Sequence, residues 1–337
     1  MDESTALMQR ALDAARLGPE ADPNPRVGCV VTDAVGRVVG VGHHRGAGTP
    51  HAEVEALAAA GEAARGGTAH VTLEPCHHSG RTGPCTGALL DAGVAAVRYA
   101  VPDPDPAAAG GAAHLAAAGV DVAPGPLRDE AELLNATWLH ARRTGRPWVV
   151  WKSATTLDGR TAAPDGSSRW ITGESARADV HALRARCGAV VVGTGTALAD
   201  DPALTVRDPS GSPAARQPLR VVVGIRPLPA DARLLDGTAE VLALDTHDPS
   251  TVLDALLERG VHHVLLEGGA TLAAAFLRAG LVDEVVTYVA PALLGSGPAA
   301  VADLGTSSID GALRLETVDV TVLDGDVRIT ARPRRRS

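Results

Sequence analysis

Pro50-His51-Ala52-Glu53-Val54, followed by Glu74-Pro75-Cys76-His77-His78-Ser79-Gly80-Arg81-Thr82-Gly83-Pro84-Cys85, is the stretch on which the reading of this chain turns. One imidazole and two thiols form a donor set suited to zinc, and three protein ligands leave a tetrahedral position open for water. Zinc lowers the pKa of such a water to about 7. Glu53, two residues after His51, is placed to take the proton and pass it on. A single His, Cys or His-x-Glu is more often structural. All three ligand types in this order, with proline before each cysteine, point to His51, Cys76 and Cys85 as metal ligands and Glu53 as the acid–base residue. The order matches the H-x-E…P-C spacing of zinc-dependent hydrolytic deaminases.

Local structure supports that assignment. Thr49-Pro50 reads as a helix start, so His51 and Glu53 open a helix expected to run to residue 65. The run 69–73 reads as a strand that delivers Cys76 at a proline bend. Cys85 opens the helix 86–92, where the helix dipole favours thiolate. Eight residues separate the two cysteines instead of two, and the insert is rich in groups that hold anions.

Working outward, strands are expected at 27–31, 38–41 and 97–101, and helices at 112–118 and 129–143, after an amphipathic stretch at 6–17. Strand–helix alternation of this kind implies a layered α/β sheet. Gly145 ends the last helix and 148–152 opens a new strand, so the chain divides into domains at 1–145 and 146–337. The second half repeats the style, with strands at 189–192, 219–223, 241–244, 263–266 and 284–289 and helices at 175–185, 250–259 and 271–278. The 263–266 strand, the Glu267-Gly268-Gly269 turn and the helix after it present free amides at a helix N-terminus, which attracts phosphate. Gly193-Thr194-Gly195 fails as a dinucleotide-fold fingerprint, because Leu198 occupies the third-glycine position.

The 337 residues suit two cores, at roughly 150 residues each. Aromatics make up 2% of the chain and the net charge is −9, so a nucleic-acid binder, with its basic face and stacking platforms, is disfavoured. The basic segment Arg332-Pro333-Arg334-Arg335-Arg336 is expected to be a solvated end. No basic, apolar leader and no run of about 20 apolar residues is present, and the four cysteines form no secreted framework. A cytoplasmic enzyme, without nucleic-acid or membrane partners, is expected. A homo-oligomer is compatible with the sequence.

Asn24-Pro25-x-Val27-Gly28, Gly40-x-Gly42-x-His44, His51-Ala52-Glu53-Val54 and the Cys76-(x8)-Cys85 unit resemble the bifunctional deaminase–reductases of riboflavin biosynthesis. Motifs of the second half resemble the same family: Lys152-x-Ala154-x-x-Leu157-Asp158-Gly159-Arg160, Trp170-Ile171-Thr172-Gly173, Gly193 through Arg207, Glu267-Gly268-Gly269 and Asp283-Glu284. The resemblance spans nearly the whole chain. It implies a cytidine-deaminase-like α/β/α layered domain fused to a dihydrofolate-reductase-like α/β domain, with Zn2+ and NADPH as cofactors. The first would deaminate 2,5-diamino-6-(5-phosphoribosylamino)pyrimidin-4(3H)-one. The second would reduce the ribosyl group of the product to ribityl.

By the same resemblance, Asn24, His44, His78 and Arg81 hold the pyrimidine and its ribose phosphate. NADPH falls to Ala154, Trp170, Thr196, Asp200 and Gly269, Ala270, Thr271, Leu272, Ala273, Ala274 and Ala275. The reductase substrate falls to Ser168, Arg184, Leu204, Arg207 and Glu267. Arg184 and Arg207 are suited to clamp a sugar phosphate. Lys152 and Glu267 are the acid–base candidates for opening the sugar ring, against the alternative that they form a salt bridge between neighbouring strands. Three positions depart from the family: His77-His78-Ser79 where Ser-His-His or Ser-His-Tyr is usual, Gly83 in place of proline, and Gly224-Ile225 in place of Asp-Ser. Competing readings are a nucleic-acid deaminase, a non-catalytic binder on the same scaffold, and a paralogue acting on a related phosphoribosyl-pyrimidine in another pathway.

Overall fold

Alanine and valine, with few aromatics, build both cores by letting helices lie close on β-sheets. The computed structural model describes residues 2–77, 83–106, 108–208 and 211–334. They fall into two compact units, Met1–Gly145 and Arg146–Ser337.

The first unit has α1 (Glu3–Ala15), β1 (Gly28–Thr32), β2 (Val38–His43), α2 (Ala52–Ala60), β3 (Thr68–Leu73) and α3 (Cys85–Ala92). It continues with β4 (Ala96–Val101), α4 (Gly111–Ala117), β5 (Asp121–Pro124), α5 (Arg128–Leu134) and α6 (Ala136–Thr144). The strands form one sheet in the order β2-β1-β3-β4-β5, with β1 antiparallel to both neighbours and β3, β4 and β5 parallel. Alternation along β1 sends Cys29 and Val31 to a core shared with α2, α3 and α4, and Val30 to a core shared with α1, α5 and α6. The result is an α/β/α sandwich.

Gly40 and Gly42 are required by α2. A Cβ at Gly40 would lie 2.1 Å from the Ala56 carbonyl oxygen, and one at Gly42 would lie 2.4 Å from that of Ala52. The helix that begins just after His51 therefore rests directly on β2. The helix expected to run to residue 65 closes earlier, at Ala60, and a single 3-10 turn, Gly61–Ala64, follows. The helix expected over 129–143 is two helices, broken at Asn135. Asn135 is buried, and its side chain accepts from the Arg26 amide and donates to the Arg26 carbonyl, both at 2.9 Å. That pair of bonds to a distant segment outweighs helix continuity.

The second unit has β6 (Trp148–Thr156), α7 (Glu174–Ala185), β7 (Ala189–Gly193), α8 (Thr194–Asp200), β8 (Leu219–Val223) and β9 (Val241–Leu244). After these come α9 (Pro249–Leu257), β10 (His263–Leu266), α10 (Ala270–Arg278), β11 (Glu284–Ala290), β12 (Leu315–Leu323) and β13 (Asp326–Pro333). The sheet order is β12-β13-β11-β6-β10-β7-β8-β9, parallel from β11 to β9 and antiparallel at the β12–β13 end. α9 and α10 cover one face, with Phe276 at its centre, and α7 and α8 cover the other.

The C-terminal segment is not a loose basic end as far as Arg334. Arg332 lies in β13, pairs with Glu284 at 3.0 Å and stands over the Trp148 ring. Arg335 and Arg336 lie outside the described residues.

Candidate functional site

In the first unit, β3 delivers Cys76 and the start of α3 delivers Cys85, while His51 is the residue just before α2. Their donor atoms all lie within 4.8 Å of one another. His51 Nδ1 faces both sulfurs, at 3.1 Å from Cys85 Sγ and 3.6 Å from Cys76 Sγ. Tetrahedral bonds of ~2.3 Å to sulfur and ~2.0 Å to nitrogen place such donors about 3.5 Å apart, so the three residues fit zinc. The Cys85 amide donates to Cys76 Sγ. Hydrogen bonding from Cys85 pulls the Cys76 thiol well below its ordinary value.

Glu53 is buried in the first turn of α2, and that burial pushes its carboxyl up to about 7. Beside it, Asn24 Nδ2 donates to His44 Nε2 and His44 Nδ1 donates to the Pro50 carbonyl, both at 3.1 Å. These two bonds fix the orientation of the His44 ring. The His44 and His51 rings meet edge to face at 5.4 Å. Asn24, His44, His51 and Glu53 are thus brought together. His78 and Arg81 lie outside the described residues.

Glu74 was given no role by the sequence. It is buried, and its carboxylate accepts from the Asp103 and Ala112 amides at 3.1 and 2.9 Å. It ties the loop after β4 and the start of α4 around the Cys76 bend. An acidic residue directly before Pro-Cys was the available signal.

In the second unit, Lys152 and Ala154 share one face of β6, and Glu267 follows β10, the strand beside it. Lys152 Nζ is 3.9 Å from Glu267 Oε2, but the closer partner of Glu267 is Arg184 on α7. Arg184 Nε and Nη2 donate to the two carboxylate oxygens at 2.5 and 2.9 Å, and Nη1 donates to the Thr205 carbonyl at 3.2 Å. The bidentate phosphate clamp expected of Arg184 is therefore turned onto Glu267. Likewise the alternative Lys152–Glu267 salt bridge, at 3.9 Å, is secondary to this helix-to-turn pair. Burial alone would raise the Glu267 carboxyl, but Arg184, aided by Lys152, holds it down at about 2. Burial lowers the Lys152 ammonium, with Glu267 opposing the shift.

Lys152 is the only lysine in a chain whose other basic side chains are all arginine or histidine. Guanidinium is not deprotonated in proteins, whereas an amine shifts readily on burial. Asp200 closes α8, its carboxyl raised by burial, with Arg169 and Lys152 opposing. Its main-chain oxygen accepts from Arg169 at 2.7 Å.

The Gly269 amide donates to Thr196 Oγ1 at 2.9 Å, which joins α8 to the start of α10. No side chain caps α10, and Gly269 occupies its N-cap. Its first-turn amides, at Ala270, Thr271 and Leu272, are suited to the pyrophosphate of a dinucleotide. Ala273 and Ala274 are fully buried against the sheet, and Ala275 lies on the second turn, half-buried. Trp170 is exposed beneath the Arg177 guanidinium, 4.5 Å from the ring centroid. Ser168 is half-buried. Leu204 packs its side chain into the core and stands at φ 51°, leaving only its main chain to meet a ligand. Arg207 is exposed and donates to the Gly211 carbonyl. His181, one turn before Arg184 on α7, was missed; the charges of Arg184, Glu267 and Arg207 all act on it, and its i, i+3 spacing to Arg184 was the available signal.

Residues 1–101 match the cytidine and deoxycytidylate deaminase zinc-binding region, and residues 147–329 match the RibD C-terminal domain. The riboflavin biosynthesis protein RibD of Mycobacterium tuberculosis is 51% identical over 309 residues, 91% of each chain. This chain belongs to the RibD family. It is an enzyme of riboflavin biosynthesis that joins a zinc-dependent deaminase to an NADPH-dependent reductase. The Escherichia coli RibD is 43% identical over 323 residues, covering 86% of this chain and 88% of the relative. Among solved structures, Acinetobacter baumannii RibD superposes with a TM-score of 0.91 at 42% identity, covering 99% of both chains. A diaminohydroxyphosphoribosylaminopyrimidine deaminase/5-amino-6-(5-phosphoribosylamino)uracil reductase from Thermotoga maritima has a TM-score of 0.85 at 32% identity, covering 98% of this chain and 99% of its own. Among the described residues, no helix is long and apolar enough to cross a membrane.

Proposed function

We propose that the first unit removes the 2-amino group of 2,5-diamino-6-(5-phosphoribosylamino)pyrimidin-4(3H)-one as ammonia, and that the second reduces the ribosyl side chain of the product to ribityl. The observation that carries this reading is the convergence of His51, Cys76 and Cys85 beside a buried Glu53. When bound, zinc supplies Lewis acidity that makes water nucleophilic near neutral pH, and NADPH supplies hydride.

Glu53 takes a proton from the attacking water at its buried carboxylate and returns it to the leaving amine. Asn24 and His44 hold the pyrimidine edge, and His78 and Arg81 are assigned to the ribose phosphate. In the reductase unit, a cyclic N-glycoside offers no carbon to hydride until its ring opens to an imine. Lys152 Nζ, lowered by burial, donates a proton to the opening ring oxygen. Glu267, fixed by Arg184, accepts from the ribose hydroxyls, with Ser168, Arg207 and the Leu204 main chain completing the substrate surface. Ala154, Trp170, Thr196, Asp200 and the first turn of α10 hold the nucleotide. Thiolate ligands suit a reducing, cytoplasmic setting.

The test is turnover of the synthetic diaminopyrimidine substrate with ammonia and NADPH followed separately. Ammonia without NADPH, and NADPH oxidation only after deamination, is the expected pattern. Ammonia release from a non-phosphorylated or nucleic-acid substrate at the same efficiency would favour another pathway.

A further inference from the structure

The parallel strands of the second unit run β6-β10-β7-β8, and the ends of β10, β7 and β8 lie near the register level of Lys152, which sits mid-way along β6. Lys152 lies on β6, Gly268 and Gly269 follow β10, Gly193 ends β7, and the turn Gly224-Ile225-Arg226 follows β8. With ~4.8 Å between neighbours, β8 stands about 14 Å from β6. A dinucleotide held with its nicotinamide near Lys152 and its pyrophosphate on the first turn of α10 would have its adenosine end on the β8 side of the sheet.

Two glycines press the β8 turn against the start of α8. Gly224 has φ 126°, and a Cβ there would lie 2.7 Å from Thr194 Oγ1. A Cβ on Gly195 would lie 3.0 Å from Arg226 Nη2. The Arg226 guanidinium therefore rests on the α8 backbone, exposed, and makes neither an ion pair nor a hydrogen bond among the described residues. With glycine at 224, no carboxylate at that position neutralises it.

We infer that Arg226 binds the 2′-phosphate of NADPH and sets the preference for NADPH over NADH, an assignment that rests on the NADPH reading of this unit. Guanidinium meets phosphate through two parallel, charge-assisted hydrogen bonds. NADH carries a hydroxyl at the same position and gains nothing comparable.

The experiment measures dissociation constants of NADP+ and NAD+ by titration calorimetry on the full-length, zinc-loaded protein, for wild type, Arg226→Gln and Arg226→Lys. Arg226→Gln is expected to weaken NADP+ by about 10- to 100-fold and to leave NAD+ unchanged. Arg226→Lys should retain part of the preference, and adenosine 2′,5′-bisphosphate should compete with NADP+ on the wild type but only weakly on Arg226→Gln. Unchanged NADP+ affinity in Arg226→Gln, or equal losses for both dinucleotides, would overturn the assignment alone. A wild-type protein that binds neither dinucleotide would overturn the NADPH reading and this assignment together.

Discussion

Replacing Arg184 by methionine removes the guanidinium that contacts both oxygens of Glu267, at 2.5 and 2.9 Å, and leaves a carboxylate whose side chain is 8% exposed without its main counter-charge. Glu267 is held at about 2 against an ordinary 4.5. A shift of that size corresponds to about 3 kcal/mol, which agrees with the cost of breaking a buried pair by removing one partner. For a unit of this size, the loss lowers the melting midpoint by roughly 6–12 °C. Three of the four tryptophans, Trp148, Trp151 and Trp170, lie in the second unit, so fluorescence-detected urea unfolding follows it preferentially. The pH dependence has a defined sign. Because the folded value is depressed, the wild-type contribution is complete above about pH 4.5 and falls away as pH drops toward 2. In Arg184→Met, burial favours the neutral acid, so the gap between variant and wild type should narrow on acidification. Equal stabilities at neutral pH, or a gap that widens in acid, would refute the reasoning.

Cys85→Ser should lose zinc and ammonia release together, as checked by metal analysis and an ammonia assay; deamination at full rate without metal would contradict the ligand assignment. Lys152→Met and Lys152→Arg should both fold and bind NADPH, yet both should fail at hydride transfer in single turnover, because neither can supply a proton as an amine does. A normal rate in Lys152→Arg would mean that positive charge alone suffices. Gly42→Val should destabilise the first unit, since its side chain would collide with the Ala52 carbonyl, and circular dichroism melting should show the loss.

The metal donors were legible in sequence because zinc dictates ligand chemistry, and the prolines before Cys76 and Cys85 mark the bends that present them. The layered α/β order of both units was also legible, from short β-branched runs alternating with alanine-rich ones. What escaped depends on partners far along the chain. Asn135 breaks a helix for Arg26, more than a hundred residues away, and no local propensity encodes that exchange. Arg184 carries the same signature as a phosphate clamp, and only the packing of α7 over the end of β10 shows that Glu267 holds its fork. The β12–β13 pair was missed for another reason. β12 does alternate with a strand's period of two at Val318-Asp319-Val320-Thr321-Val322, but its valines are exposed, so the pattern marks no buried face.

The central claim is that Glu53 and Lys152 serve two consecutive reactions on one substrate. Its most direct test follows ammonia and NADPH by rapid quench in wild type and Glu53→Gln, each loaded with zinc and given the undeaminated substrate. In wild type, ammonia should appear first and NADPH oxidation should follow. In Glu53→Gln, ammonia release should fall by about 10²- to 10⁴-fold, NADPH should persist, and added pre-deaminated substrate should restore its oxidation at the wild-type rate. Oxidation of NADPH by Glu53→Gln at the wild-type rate on undeaminated substrate would contradict the account.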